Sequence, residues 1–227
     1  MFLAFDKVFT VENLLYLLKG TGYSIGIAVL SLFFGLILGI LGSCGKNSKN
    51  IISKTIANIY VELIRGTPLL LQIFIIFSVF PIVYTQITGN VIRINPYVIG
   101  VIAMSINSGA YQTELIRAGI GAVDKGQFEA CETLGLDSYQ AMKFVILPQA
   151  FKNIIPPIIS ELITLINDTS LISTIGAVEL LKSAQVLGTN YYEVMSPYCI
   201  VAVYYLVVTF AISFVGKKIE KRLAASD

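Results

Sequence analysis

The chain has 227 residues, of which 56% are hydrophobic and 13% charged, with a formal net charge of +2. Soluble domains carry roughly a quarter charged residues, so half that density points to lipid as solvent, and so weak a charge gives no case for nucleic-acid binding. With no histidine, a nucleophile–histidine pair is excluded; Cys44, Cys131 and Cys199 lie in three separate regions without a CxxC and read as small apolar packing residues rather than a disulfide or metal site.

The first twenty residues carry Asp6, Lys7, Glu12 and Lys19 with no long apolar core, which argues against a cleavable signal. Residues 11–19 predict a short amphipathic helix lying at the membrane surface. A bilayer-spanning helix needs ~20 apolar residues, and five runs approach that length: about 22–44, 59–84, 96–117, 154–175 and 197–215. The first contains Gly35-x3-Gly39 and Gly42, small residues that let another helix approach closely. Arg65-Gly66-Thr67-Pro68 interrupts the second, because proline removes a backbone hydrogen bond. There is no internal repeat. The expected fold is an all-α integral membrane protein forming one domain over residues 1–227.

The positive-inside rule sets the orientation. With the N-terminus outside, twelve of the 16 Lys and Arg residues are cytoplasmic, and only Lys7, Lys19, Arg93 and Lys182 remain outside. An odd number of spans then puts the basic C-terminal tail inside. Residues 118–153, between spans three and four, form a cytoplasmic loop. Residues 176–192, outside, read as a helix followed by a polar turn, Gly188-Thr189-Asn190, suited to a lid and landing surface.

Within the cytoplasmic loop, residues 124–134 favour a helix with Phe128, Cys131 and Leu134 or Gly135 along one stripe. Gly135 can end it in the left-handed conformation. A second short helix, about 138–145, then leads to Pro148, which is placed to open the next helical segment. The product is a helix–turn–helix finger standing out from the membrane. Its acids, Asp124, Glu129, Glu132 and Asp137, disfavour lying on an anionic bilayer.

The order Glu129-Ala130-x4-Gly135-x9-Val145-x-Leu147-Pro148 resembles the EAA loop of ABC importer membrane subunits, with Cys131 in place of the second alanine and Val145 in place of isoleucine. Leu17-Leu18-Lys19-Gly20-Thr21, Glu62-Leu63-Ile64-Arg65-Gly66-Thr67-Pro68-Leu69, Ser108-Gly109-Ala110-Tyr111-x-Thr113-Glu114 and Asp168-Thr169-Ser170-Leu171 extend the likeness to nearly the whole chain, with Asn167 where lysine is frequent. The resemblance is to permeases for polar amino acids of the histidine, arginine, glutamine and glutamate type. It implies that Glu129, Ala130, Gly135, Leu147 and Pro148 couple to an ATPase. It also implies a second permease subunit, as homodimer or heterodimer, two cytoplasmic ATPase subunits that hold ATP and Mg, an extracytoplasmic binding protein, and a prokaryotic inner membrane.

Ionisable groups within spans are costly and invite functional readings. At 1.5 Å per residue, Asn107, Ser108 and Tyr111 of span three come level with Glu161 and Thr164 of span four. Glu114 lies roughly 10 Å further inward and Asp168 toward the outer half. Together with Glu114 and Asp168, these residues are the candidate substrate site. The acids suit an ammonium, or the second positive charge of a basic amino acid. Backbone donors and hydroxyls suit the carboxylate. Two of the acids also have a local reading: Glu114 can pair with Arg117 one turn away, and Asp168 can bond to its own backbone, whereas Glu161 has no basic neighbour close in sequence. Arg65 is placed near the cytoplasmic face, balancing Glu62 and out of reach of substrate.

No P-loop is present, since Gly45-Lys46-Asn47 lacks both the upstream glycine and the following Ser or Thr. The chain is therefore expected to bind no cofactor and metal of its own and to have no catalytic residues. The reading that follows is a permease for a polar, basic amino acid such as arginine, lysine or histidine. Glutamine or glutamate is the alternative cargo. An ion-coupled carrier using Glu114, Glu161 or Asp168 as relay is the alternative mechanism, disfavoured by the missing inverted repeats; a membrane scaffold without transport is a third.

Overall fold

Apolar runs interrupted by glycine, proline and capping side chains give a wholly helical chain over the residues that the structure, a computed structural model, describes: 5–224, with side-chain surroundings for 7–223. The elements are α1 (Phe5–Val8), α2 (Val11–Lys46), α3 (Ile51–Arg65), α4 (Leu69–Phe74), α5 (Phe80–Thr88), α6 (Pro96–Gly121), α7 (Lys125–Thr133), α8 (Ser138–Gln140), α9 (Leu147–Asp168), α10 (Leu180–Tyr191) and α11 (Met195–Ala224). π-helical turns at Ile75–Val79 and Ala141–Ile146 join α4 to α5 and α8 to α9. A 3-10 segment, Thr169–Ile175, extends α9.

The expected surface helix at 11–19 and the first span are one rod. α2 runs unbroken for 36 residues, capped by the Thr10 hydroxyl. Gly20 does not stop it; it is where α10 leans in. A Cβ there would meet Ser183 Oγ at 2.6 Å and the Leu180 Cα at 3.1 Å. Lower down, Gly35, Gly39 and Gly42 press on Ser108, Gln112 and Thr113 of α6, so the close helix approach expected of these glycines has α6 as its partner.

The second span begins ten residues later than expected. α3 ends at Arg65, and Gly66-Thr67-Pro68 separates it from the apolar rod over α4 and α5. The Gln72 amide closes the gap, donating to Ile64 O at 2.8 Å and Thr67 O at 3.0 Å. A break between helices leaves carbonyls unpaired, and one buried side chain satisfies two of them.

α9 also departs from the expected 154–175 span. Its helical path starts in α8 and passes through the π turn, so Pro148 sits in its first turn rather than after a gap. At Asp168-Thr169 it tightens to 3-10. α10 runs through Gly188-Thr189-Asn190, and the turn falls instead at Tyr192, with φ 52°. α11 is longer than its expected 19 residues at both ends.

Among the described residues, four helical segments are long and apolar enough to cross a membrane: Val11–Lys46, Leu69–Thr88, Ser138–Ile175 and Met195–Leu223. α6 matches them in length, but its Ser105, Asn107, Ser108, Gln112 and Thr113 are buried in the middle of the bundle. The core lies where α2, α4, α6 and α9 meet, around Ile27, Ile73, Ala103, Met104, Leu165 and Ile172. Phe33, Phe34, Ile82, Phe210 and Phe214 face outward, a surface for lipid or another subunit. Of the cysteines, Cys131 is buried, whereas Cys44 and Cys199 are exposed and do not fill the packing role expected of them.

Candidate functional site

The break at Gly66-Thr67-Pro68 ends α3 beside the middle of α6 and α9. Two adjoining hollows, about 530 and 590 Å3, open there and share Arg65, Tyr111, Glu161 and Thr164. One continues past Glu114, Pro156 and Pro157; the other passes Asn107, Asp168 and the backbone of the break. The larger apolar groove between α2 and α6 contains none of these groups.

Of the residues expected to form a substrate site, Asn107, Tyr111, Glu114, Glu161, Thr164 and Asp168 line these hollows. Ser108 is fully buried behind them, and its hydroxyl donates to the Glu161 carboxylate at 2.7 Å. The Gln112 amide donates in turn to Ser108 Oγ at 2.8 Å. Asn107 is held by Gln72, its amide donating to Gln72 Oε1 at 3.1 Å. Thr164 is exposed, its hydroxyl turned back onto Ser160 O.

The acids differ in their partners. Glu114 pairs with Arg117 at 3.3 Å and with Lys46 of α2 at 2.5 Å. The local pairing with Arg117 thus exists together with a place on the hollow wall. Glu161 and Asp168 form no ion pair among the described residues. Arg65 lines a hollow with both, its guanidinium 5.3 Å from the centre of the Tyr111 ring. Expected near the cytoplasmic face and out of reach of substrate, Arg65 lines both hollows at the end of α3, where the helix break follows it.

The finger is built by local signals. Asp124 caps α7 through Gly126 N. Gly135 takes φ +73°, while Leu136 N bonds to Cys131 O and Gly135 N to Glu132 O, both at 3.0 Å. These are the bonds of a Schellman cap. Asp137 and Gln140 then form a capping box at α8. Val123 and Phe128 pack with Ile146, Ala150 and Ile154, fixing the finger to the foot of α9, and Cys131 is buried. Leu134 departs from the expected stripe: it is 77% exposed, and Tyr139 and Phe144 are 69% and 65% exposed. Glu129, Ala130, Gly135 and Pro148 are exposed too, and Leu147 is half-buried. Three large apolar side chains on a polar tip form a surface fit for a protein groove.

Sequence reasoning missed Glu179. Fully buried, it caps α10 by accepting from Leu181 N at 2.8 Å and Lys182 N at 2.7 Å. Tyr205 and Ser24 hydroxyls also donate to it, at 3.3 and 3.5 Å. Burial pushes its carboxyl above the usual carboxylate range, and these four donors pull against that.

Residues 21–225 match the family described as the binding-protein-dependent transport system inner membrane component. The chain belongs to this family. A Rickettsia bellii (strain RML369-C) protein, provisionally named a glutamine transport system permease, is 40% identical over 94% of this permease and 95% of its own length. The arginine transport system permease protein of Bacillus subtilis (strain 168) is 38% identical over 96% and 97%. A crystal structure of an amino acid ABC transporter with histidines superposes with a TM-score of 0.89 at 34% identity, covering 98% of this permease and all of that chain. The protein is thus an amino acid ABC transporter permease, a multi-pass inner-membrane component and not an enzyme; ATP hydrolysis falls to a separate subunit.

Proposed function

We propose that the permease imports a basic amino acid, arginine, lysine or histidine, by alternating access through the hollows between α3, α6 and α9. One observation carries this reading: Glu161 and Asp168 line a hollow with Arg65 and form no ion pair among the described residues, while Glu114 already has two cationic partners. An amino acid carboxylate suits Arg65, whose fork matches it bidentately. That leaves two carboxylates for the ammonium and a second positive charge. Glutamine or glutamate is the alternative cargo, and for it the second carboxylate has no cationic partner.

In this reading α2, the rod of α4 and α5, α6, α9 and α11 make five spans, with the N-terminus outside and the C-terminus inside a prokaryotic inner membrane. The finger over 118–153 then faces the cytoplasm, and Leu134, Tyr139 and Phe144 seat with Glu129 and Ala130 in an ATPase subunit that binds ATP and Mg. A second permease subunit completes the pathway, because the hollows open at the side of one chain. An extracytoplasmic binding protein delivers substrate near α10.

The test is uptake by proteoliposomes holding permease, ATPase and binding protein. Arginine uptake that needs internal ATP, exceeds glutamine uptake and falls selectively in Glu161→Gln supports the proposal. Equal loss of both substrates discards the charge pairing. Uptake driven by an ion gradient without ATPase would favour the ion-coupled carrier.

A further inference from the structure

Away from these hollows, α2 and α6 diverge toward the level of Tyr23 and Tyr97 and leave a groove of about 800 Å3. Its walls are apolar: Ile27, Leu30 and Phe34 on α2, Val101, Ile102 and Ile106 on α6. Gly22 and Gly26 form part of its floor. A Cβ on either would meet nothing within 4 Å, whereas at Gly35, Gly39 and Gly42 it would strike α6 at once. The same helix therefore uses its lower glycines for helix contact and its upper ones for open space. From residue 22 to 38 the groove follows α2 for about 24 Å.

At its upper end the groove meets a second, smaller hollow of about 200 Å3, with Tyr23 and Tyr97 lining both. The two rings lie 5.3 Å apart and form the threshold between them. Beyond it stand Lys19, Tyr16 and Ser183. Lys19 forms no ion pair among the described residues. Tyr97 is held in place by the segment before α10, donating to Val178 O at 3.0 Å and accepting from Val178 N at 3.1 Å.

We propose that this paired hollow is a binding site for one phospholipid, its phosphate at Lys19 and an acyl chain laid over Gly22 and Gly26 between α2 and α6. Polar and apolar surfaces divide along a single axis, as they do in an amphiphile and not in a water-soluble ligand. Tyrosine and lysine at that division are the side chains that settle at a membrane interface. Lys19 supplies one cation for a phosphate, with the Tyr16 and Ser183 side chains beside it. A helix from a second copy would fill the groove but would have to bring an acid to the level of Lys19.

Native mass spectrometry of the purified permease–ATPase complex tests the assignment, with dioleoyl phosphatidylglycerol, dioleoylglycerol and inorganic phosphate as separate probes. We expect saturable binding of one phosphatidylglycerol per permease, at least fivefold tighter than dioleoylglycerol, and no retention of inorganic phosphate alone. Lys19→Gln should erase the preference between the two lipids. Gly26→Leu should remove retention of both while the complex still copurifies. Unchanged binding in both variants would overturn the site, as would retention of inorganic phosphate in place of lipid. A photo-crosslinker at Ile102 gives an independent reading on the parent complex: a lipid adduct supports the proposal, and an adduct to a second permease copy overturns it.

Discussion

Ser108 donates its hydroxyl to the Glu161 carboxylate at 2.7 Å, a direct bond that ties the polar face of α6 to an acid on α9. Ser108 is itself held by Gln112, whose amide also reaches Leu32 O of α2 at 3.4 Å. Three helices thus fix the position of one carboxylate in the hollow wall. A hydrogen bond to a charged group contributes about 1.5–3 kcal/mol.

Glu161→Gln keeps the Ser108 contact and removes the charge. Import of arginine should fall about tenfold to a hundredfold, and import of glutamine by less than threefold. Ser108→Ala leaves the charge but frees the carboxylate to rotate, so a smaller loss, chiefly in KM, is expected. Initial uptake rates in proteoliposomes over a range of substrate concentrations measure both.

Arg65 and Tyr111 give a second, separable effect. The guanidinium lies over the ring at 5.3 Å, a contact in the range of about 0.5–2 kcal/mol. Arg65→Lys retains charge but loses the planar fork. Because every amino acid has a carboxylate, uptake of basic and neutral substrates should fall together, by about tenfold. A loss confined to basic substrates would remove Arg65 from the carboxylate role.

At the finger, Leu134, Tyr139 and Phe144 are exposed, the two rings meeting only the Lys143 ammonium, at 5.4 and 5.3 Å, among the described residues' ring contacts. Leu134→Asp or Phe144→Asp should leave the stability of the permease within about 0.5 kcal/mol of the parent. ATPase association should weaken by at least tenfold. Gly135→Ala acts differently, since φ +73° strains a Cβ by about 1–2 kcal/mol; here finger and docking should fail together. Pull-down with the ATPase, alongside melting curves in detergent, separates the two cases.

What was legible in the sequence was mostly local. Asp124, Gly135 and Asp137 act on backbone groups within three residues, so the finger can be traced from spacing alone. The level of Ser108 against Glu161 was also accessible, because two regular helices keep a constant rise per residue. Contacts decided by distant neighbours were not. Gly20 read as a boundary between two helices, yet it is a contact for α10, more than 150 positions along the chain. Arg65 read as a partner of Glu62 near the cytoplasmic face; the break at 66–68 was legible from Pro68, but the Tyr111 ring of α6 against which the guanidinium lies was not. Glu179 lay in a segment assigned to the outside, with nothing nearby to show that Ser24 and Tyr205 would enclose it.

Glu179 supplies a pH prediction of definite sign. Its folded carboxyl titrates above the unfolded value, near 4.3, so the folded permease holds more protons than the unfolded chain between the two. Stability must then fall as pH rises through the folded value and recover as pH is lowered toward the unfolded one. Glu179→Gln removes the charge and keeps one of the two oxygens that accept from Leu181 N and Lys182 N, and should flatten that slope. Glu179→Ala loses the cap as well, worth about 1 kcal/mol, and should melt lower at every pH. Thermal midpoints of the three proteins in detergent, taken from pH 8 down to pH 5, measure the slope; a midpoint that rises with pH in the parent but not in Glu179→Gln contradicts the assignment.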